Sequence, residues 1–513
     1  MTVEGAGAFG TVQPLDEANR RLVANVHPPG WVSPPPAGRY HLVVVGAGTA
    51  GLVSAAIAGG LGARVALVER HLMGGDCLNV GCVPSKAVIA AARRVHEAGS
   101  AAALGVAPAA GAAPDFAAAM RRMREIRAEI SREDSAARYA REFGVHVHLG
   151  EARFTGPDRV EVGGRTLRFR RAVIATGACP TAPPIPGLAE AGYHTNETIF
   201  ELTERPARLA IVGGGPIGCE LAQAFRRLGV QVHLLEQGAH VLEREDADAA
   251  ELVQRALVRD GVELALGAAL ERVERRGAAR VLHVKARDGG SAALEVDEIL
   301  VAAGRAPNVE GLGLEAAGVA FDPGRGVEVD DRLRTTNRRI YAAGDVCMRW
   351  KFTHAADAAA KIVVQNALFG GRRKLSSLVV PWCTYTDPEL AHVGLSAREA
   401  AERGIDVDTY TTPFARVNRA ATDGGEEGFV RVHTRKGGDR IVGATIVGKH
   451  AGELITLVTL AMTAGRGLGA LGGVIYPYPT LAEGLKATAG AYTRTRLTPL
   501  AKRVFGWWFR LTG

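Results

Sequence analysis

Cysteine is sparse in this chain: six among 513 residues. That is too few, and too scattered, for a disulfide-stapled scaffold, and it leaves any close pair of cysteines as a candidate for catalysis or metal binding. A basic, apolar leader of the secretory type is missing, so the cytoplasm is the expected location. Low-complexity sequence is confined to an alanine-rich stretch around Ala101 to Ala113, read as a loop before a helix running from Asp115 to Phe143. The uncharged run from Leu42 to Ala63 has the length of a membrane span, but its internal glycines and its flanking strand pattern explain it without a bilayer. Lys and Arg outnumber Asp and Glu by 62 to 54, yet no nucleic-acid motif accompanies the charge, which would at most attract anionic nucleotides. What is abundant is glycine, with 64 residues, in a chain that is 47% hydrophobic. That composition suits layered α/β packing, and the length suits three domains.

The glycines are organised. Leu42 to Val45 reads as an apolar strand that runs into Gly46-Ala47-Gly48-Thr49-Ala50-Gly51, then a small-residue helix, then Val65 to Val68 ending in Glu69. This is a dinucleotide-binding fingerprint in its required context. Gly46, Gly48 and Gly51 permit the tight turn and close approach to a pyrophosphate, helix amides hold the anion, and Glu69 is placed for a ribose hydroxyl. The unit recurs: Leu209 to Val212 leads into Gly213-Gly214-Gly215-Pro216-Ile217-Gly218, a helix, and Val232 to Leu235 ending in Glu236. Two units imply two nucleotides.

Directly after the first unit comes Gly74-Gly75-Asp76-Cys77-Leu78-Asn79-Val80-Gly81-Cys82-Val83-Pro84-Ser85-Lys86. Pro84 suits the first position of a helix, which would set Cys82 at that helix's positive end with Lys86 one turn in. Such a site lowers a thiol pKa. Two small buried hydrophobes would be the bland reading of the pair. A zinc site needs two further ligands, and only His71 is near in sequence. Beside the fingerprint, a redox couple is the preferred reading.

Taken together, about residues 40 to 498 resemble the pyridine nucleotide-disulfide oxidoreductases, the flavoproteins that include glutathione reductase, dihydrolipoamide dehydrogenase and mercuric reductase. The resemblance implies an α/β fold with two Rossmann-like domains, for FAD and NAD(P), and a C-terminal α+β dimerisation domain. It divides the chain into an N-terminal extension (1–39, read as an extended, proline-bearing arm), an FAD segment (40–186), an NAD(P) domain (187–303), a second FAD segment (304–373), an interface domain (374–498) and a basic aromatic tail (499–513). Further motifs fall in order: Ala175-Thr176-Gly177, Gly304-Arg305-Ala306-Pro307-Asn308 and Tyr341-Ala342-Ala343-Gly344-Asp345. By resemblance Gly75, Thr176, Gly177, Gly304 and Asp345 serve the cofactors, with Asp345 on the flavin's ribityl chain. Cys82 lies against the flavin, Cys77 meets the substrate, and Lys86 near flavin N5 pairs with Glu220. Glu236, followed by Gln237, favours NADH over NADPH because a carboxylate repels a 2′-phosphate, although Arg244 could weaken that preference.

On the substrate side the chain departs from two of these relatives. Glutathione reductase and dihydrolipoamide dehydrogenase carry a base histidine in an H-P-T motif, supplied by the partner subunit. This chain has Tyr476-Pro477-Tyr478-Pro479-Thr480-Leu481-Ala482-Glu483, and a phenol, with a reference pKa near ~10, is a poor base at neutral pH. Tyr478 and Glu483, with Pro381-Trp382-Cys383-Thr384-Tyr385-Thr386-Asp387-Pro388-Glu389, resemble the mercuric reductase branch. That branch relays Hg(II) through a C-terminal cysteine pair, whereas nothing after Cys383 is a cysteine here, and no N-terminal Cys-x-x-Cys metal domain is seen. A soft ion could still reach Cys77 and Cys82 directly, with no permanently bound metal, and the four remaining cysteines read as packing residues. The leading expectation is a homodimeric enzyme passing electrons from NAD(P)H through FAD and the Cys77/Cys82 pair to a metal ion or other acceptor. Alternatives are a dihydrolipoamide dehydrogenase-like disulfide reductase and a redox sensor with little turnover. The tail, with five Lys or Arg and no acid from Thr493 on, reads either as a strap over the dimer, which is preferred, or as a segment lying on an anionic membrane surface.

Overall fold

In the computed structural model, residues 12–107, 113–287 and 289–513 are described. Positions 1–11 of the N-terminal arm and 108–112 of the alanine-rich stretch lie outside them. The first sheet is built around the strand Arg39–Val45, which pairs in parallel with Val65–Glu69 on one side and Arg165–Ile174 on the other. Val65–Glu69 in turn pairs with His146–Leu149. The inner strands are buried along nearly their whole length, as a parallel sheet covered on both faces requires. The strand Ile340–Ala342, far away in sequence, also pairs in parallel with Arg165–Ile174. The second nucleotide unit is therefore inserted between two parts of the first domain.

That inserted unit has its own parallel sheet, in which Arg208–Val212 lies between Gln231–Glu236 and Glu298–Val301 and Glu263–Leu266 forms an edge. An antiparallel three-stranded sheet, Ala269–Arg276, Ala279–Lys285 and Ser291–Val296, packs beside it. From Pro381 the chain forms a five-stranded antiparallel sheet whose centre is Ile441–Gly448, covered by the helices Ala451–Thr463 and Glu483–Thr495. The stretch from Leu42 to Ala63 is a strand, a glycine turn and the twelve-residue helix Thr49–Gly60. Among the described residues no helix is long and apolar enough to cross a membrane.

Three local expectations are corrected. The N-terminal segment is not simply an extended arm: Glu17–Val26 is a helix, capped by Asp16, that buries Ala18, Leu22 and Val26 in the first domain's core. The single helix expected from Asp115 to Phe143 is two, Phe116–Ile130 and Ala136–Phe143. It breaks because the Ser131 hydroxyl turns back onto the Ala128 carbonyl and Ser135 caps the second helix. The alanine-rich loop begins as a short 3-10 turn, Ala101–Leu104.

Candidate active site

The two glycine turns are set by contact. Gly46 sits at φ +100°, and a Cβ on Gly51 would lie 1.8 Å from the Gly46 carbonyl oxygen. In the second unit Gly213 has φ +111° and a Cβ on Gly218 would lie 1.9 Å from the Gly213 oxygen. Both following helices start from extended glycines, Gly48 and Gly215, that supply no side-chain cap. Their first amides are left for an anion. Glu69 accepts from the Ala47 amide at 2.6 Å and the His71 amide at 2.8 Å. Glu236 does the same with Gly214, 2.6 Å, and Gly238, 2.7 Å. A carboxylate has about four acceptor sites, so each retains capacity for ribose hydroxyls. The two turns, both acids, Cys77, Cys82, Lys86, Gly75, Gly177, Gly304 and Asp345 all line one cleft of about 2910 Å³. Gly46, Gly51, Gly213 and Gly218 leave no room for a Cβ, Gly48 and Gly215 keep the approach to the helix amides open, and the two cradles fit dinucleotides.

The motifs around Thr176 and Gly304 are halves of one device. Ala178–Pro180 pairs antiparallel with Arg305–Pro307, the Thr176 hydroxyl donates to the Asn308 carbonyl at 2.7 Å, and the Asn308 amide returns a bond to the Thr176 carbonyl at 2.9 Å. Arg305 then reaches Asp76, beside Cys77, and lies 3.8 Å from Asp345. Burial raises the Asp345 carboxyl's pKa, and Arg305 opposes that.

Cys77 lies in the short helix Gly75–Asn79, and Cys82 is the first residue of the helix Cys82–Ser100. This corrects the expected start, since Pro84 is the third helical residue. The loop between the cysteines is held from several sides. Asn79 Nδ2 donates to the Gly75 carbonyl at 2.8 Å, Arg127 Nη1 donates to the Asn79 carbonyl at 2.6 Å, and Asn196 Nδ2 donates to the Val80 carbonyl at 3.2 Å. Arg127 also binds Asn19 at 2.7 Å, which explains why the N-terminal helix matters to the site. Burial brings the Arg127 guanidinium's pKa down to about 10.

Cys82 Sγ faces the cleft, 3.4 Å from the Thr353 hydroxyl. A hydrogen bond from the Cys77 thiol lowers the Cys82 pKa, against burial, with help from Thr353 and Lys86. The same bond, with burial, drives Cys77 upward. The pairing favours the charged form of Cys82 and the protonated form of Cys77.

Lys86 Nζ donates to Glu220 Oε2 at 2.7 Å and lies 4.7 Å from the centre of the Tyr385 ring. Glu220 is buried, and its other oxygen accepts from the Tyr385 amide at 2.9 Å. The same helix, Pro216–Arg227, carries two residues that reading the sequence missed. Gln223 exchanges bonds of 2.7 and 2.8 Å with the Asp387 backbone, and Arg227 bridges Asp260 (2.8 Å) and Asp387 (3.0 Å). A signal was present, because Glu220, Gln223 and Arg227 share one helix face. Thr353 was also missed, and no local pattern marks it; Arg305 falls inside the Gly304 to Asn308 motif, but its reach to Asp76, 229 positions away, does not show locally.

The structure does not bring Tyr478 and Glu483 to the cysteines of their own chain. Tyr478 is 69% exposed, and its hydroxyl accepts from Asn418 at 3.1 Å. Glu483 lines a separate groove with Arg416, Asn418 and Lys486. Cys219 is fully buried, and burial raises the thiol pKa values of Cys347 and Cys383.

Residues 40–360 match the family described as pyridine nucleotide-disulphide oxidoreductase, and residues 380–489 match its dimerisation domain. A mercuric reductase of Bacillus cereus is 36% identical over 447 residues, covering 87% of this chain and 70% of that protein. A dihydrolipoyl dehydrogenase of Thermus scotoductus is also 36% identical, over 462 residues, covering 88% and 97%. Among solved structures, the HOCl-induced flavoprotein disulfide reductase RclA of Escherichia coli superimposes with a TM-score of 0.78 at 30% identity, covering 88% of this chain and 99% of that one. Its Cu(II) complex gives 0.79 at 29% identity, covering 89% and 100%. Identity is equal for a metal-ion reductase and a disulfide enzyme, so the choice of acceptor turns on the site.

Proposed function

The chain belongs to the pyridine nucleotide-disulphide oxidoreductase family and is an NAD(P)H-dependent flavoprotein oxidoreductase, and from that premise we propose that its reduced cysteine pair serves a soft metal ion. When bound in the first unit, FAD supplies the two-electron relay between the nicotinamide and the Cys77/Cys82 disulfide. The chain's own residues do the rest. Gly46, Gly48, Gly51, Glu69, Gly75, Thr176, Gly177, Gly304 and Asp345 hold the flavin nucleotide, Gly213, Gly215, Gly218 and Glu236 hold the nicotinamide nucleotide, and Lys86 with Glu220 places a fixed charge where the two units meet.

The observation that carries the metal-ion reading is the placement of Cys82, a cleft-facing sulfur at the first position of the helix Cys82–Ser100, where the Cys77 thiol, Thr353 and Lys86 lower its pKa. A thiolate that exists before substrate arrives binds a soft cation without a base, and two sulfurs satisfy a two-coordinate ion. Reduction of an organic disulfide needs a proton carrier instead, and in the mature assembly the group offered by the dimerisation domain would be Tyr478, a phenol. For Hg(II) the overall reaction would be NAD(P)H + Hg(II) → NAD(P)⁺ + H⁺ + Hg(0). NADH is the favoured donor: Glu236, bonded to the Gly214 amide of the second glycine turn, lines the cleft, a placement that repels a 2′-phosphate.

Anaerobic reduction by NADH, followed by rapid mixing with Hg(II), Cu(II), lipoamide or oxidised glutathione, tests this reading. Flavin reoxidation should be fast with a metal ion and lost in Cys77→Ser. Faster reoxidation by lipoamide would assign the chain to disulfide chemistry.

A further inference from the structure

The helix Pro499–Thr512 is capped by the Thr498 hydroxyl and buries none of its residues. Its aromatic and aliphatic side chains are in water, with Leu500 70%, Phe509 68%, Trp507 62% and Trp508 56% exposed. At about 100° per residue, Trp507, Leu500, Leu511, Val504, Trp508, Ala501, Phe505 and Phe509 span an arc of about 200° that contains one polar residue, Thr512, whose hydroxyl donates to the Trp508 carbonyl. Lys502, Arg503 and Arg510 fill the opposite arc, and Trp507 and Phe509 stand at the two borders. No acidic residue follows Glu483.

From this arrangement we propose that Pro499–Thr512 is a membrane-surface helix that seats the enzyme on anionic phospholipid. A helix docked on one protein surface needs an apolar stripe of about 100°. The arc here is about twice that width, too broad for one protein face to cover, whereas lipid chains close around such a helix from the side. The charge is complementary as well: three cations with no acid among them, in a tail that is basic from Thr493 onward, match a negative headgroup layer. Fourteen residues span about 21 Å as a helix, short of the ~30 Å hydrocarbon core. The helix therefore lies in the interface plane, with aromatic rings at headgroup depth.

The test uses the full-length flavoprotein and sedimentation with vesicles of phosphatidylcholine, with and without phosphatidylglycerol. Binding is expected only to the anionic vesicles and should fall with salt. Each basic residue near such a surface is worth roughly fivefold in partitioning, so Lys502→Glu, Arg503→Glu and Arg510→Glu together should weaken it at least about a hundredfold. Trp507→Ala with Trp508→Ala should weaken it without changing the salt dependence. Flavin reduction by NADH should be unchanged in every variant, which shows that each one is folded. Equal vesicle binding by full-length protein and a variant lacking residues 499–513 would overturn the proposal. So would the absence of binding to anionic vesicles, and dimer dissociation on that deletion without vesicle binding would make the helix a strap between copies.

Discussion

The two nucleotide units match position for position at an offset of 167 residues: Gly46 and Gly213, Gly48 and Gly215, Gly51 and Gly218, Glu69 and Glu236. Even the amides that hold the two acids correspond, Ala47 with Gly214 and His71 with Gly238. The helices that follow do not match. Where the second carries Glu220, Gln223 and Arg227, the first has Val53, Ala56 and Gly60. The first helix is small and apolar, and it packs into the core with Thr353–Phe369. The second reaches out with its polar face to Lys86, beside the cysteines, and to Asp387 in the interface domain. The turn chemistry makes a nucleotide site in both cases. The helix face decides whether that site is only anchored or is also coupled to the redox centre.

The comparison can be broken most severely at the glycines. Gly51→Ala forces a Cβ onto a backbone oxygen and should yield protein without visible flavin absorbance. Gly218→Ala should keep the yellow colour and lose NADH-driven flavin reduction. Loss of flavin in both variants would mean that the units are not separable. Next in size, Arg227→Ala leaves Asp260 and Asp387 without their shared cation and should cost roughly 3 kcal/mol, read as a lowered urea midpoint. Glu220→Gln keeps the shape but removes the charge facing Lys86. It should slow flavin reduction about tenfold and cost roughly 1–2 kcal/mol, with the flavin still bound. The smallest effect is expected at Glu236→Gln, which should narrow the preference for NADH over NADPH in stopped-flow reduction by a few-fold.

Much of this site can be read locally. A glycine turn needs only its own strand and helix, so Gly46, Gly51, Gly213 and Gly218 announce themselves, and Cys77, Cys82 and Lys86 follow within one segment. The Arg127 to Asn79 bond joins residues 48 positions apart, and Thr353 approaches Cys82 across 271. No periodicity encodes such meetings. The N-terminal helix was hidden for a related reason: Asn19 and Asp16 look like polar surface until Arg127 and Arg124 are placed against them. Tyr478 is legible as a departure from a histidine pattern, but a single chain does not bring it to the cysteines.

The metal-ion chemistry rests on a thiolate that the chain itself favours at Cys82. Thiolate absorbance of the two-electron-reduced enzyme, followed from about pH 4 to about pH 9, tests it most directly. Because the folded pKa lies below that of a free thiol, the signal should rise at lower pH than a free thiol's, be present already at neutral pH, and be absent in Cys82→Ser. A signal that rises only above about pH 8, or one that persists in Cys82→Ser and disappears in Cys77→Ser, would show that Cys82 is not the thiolate.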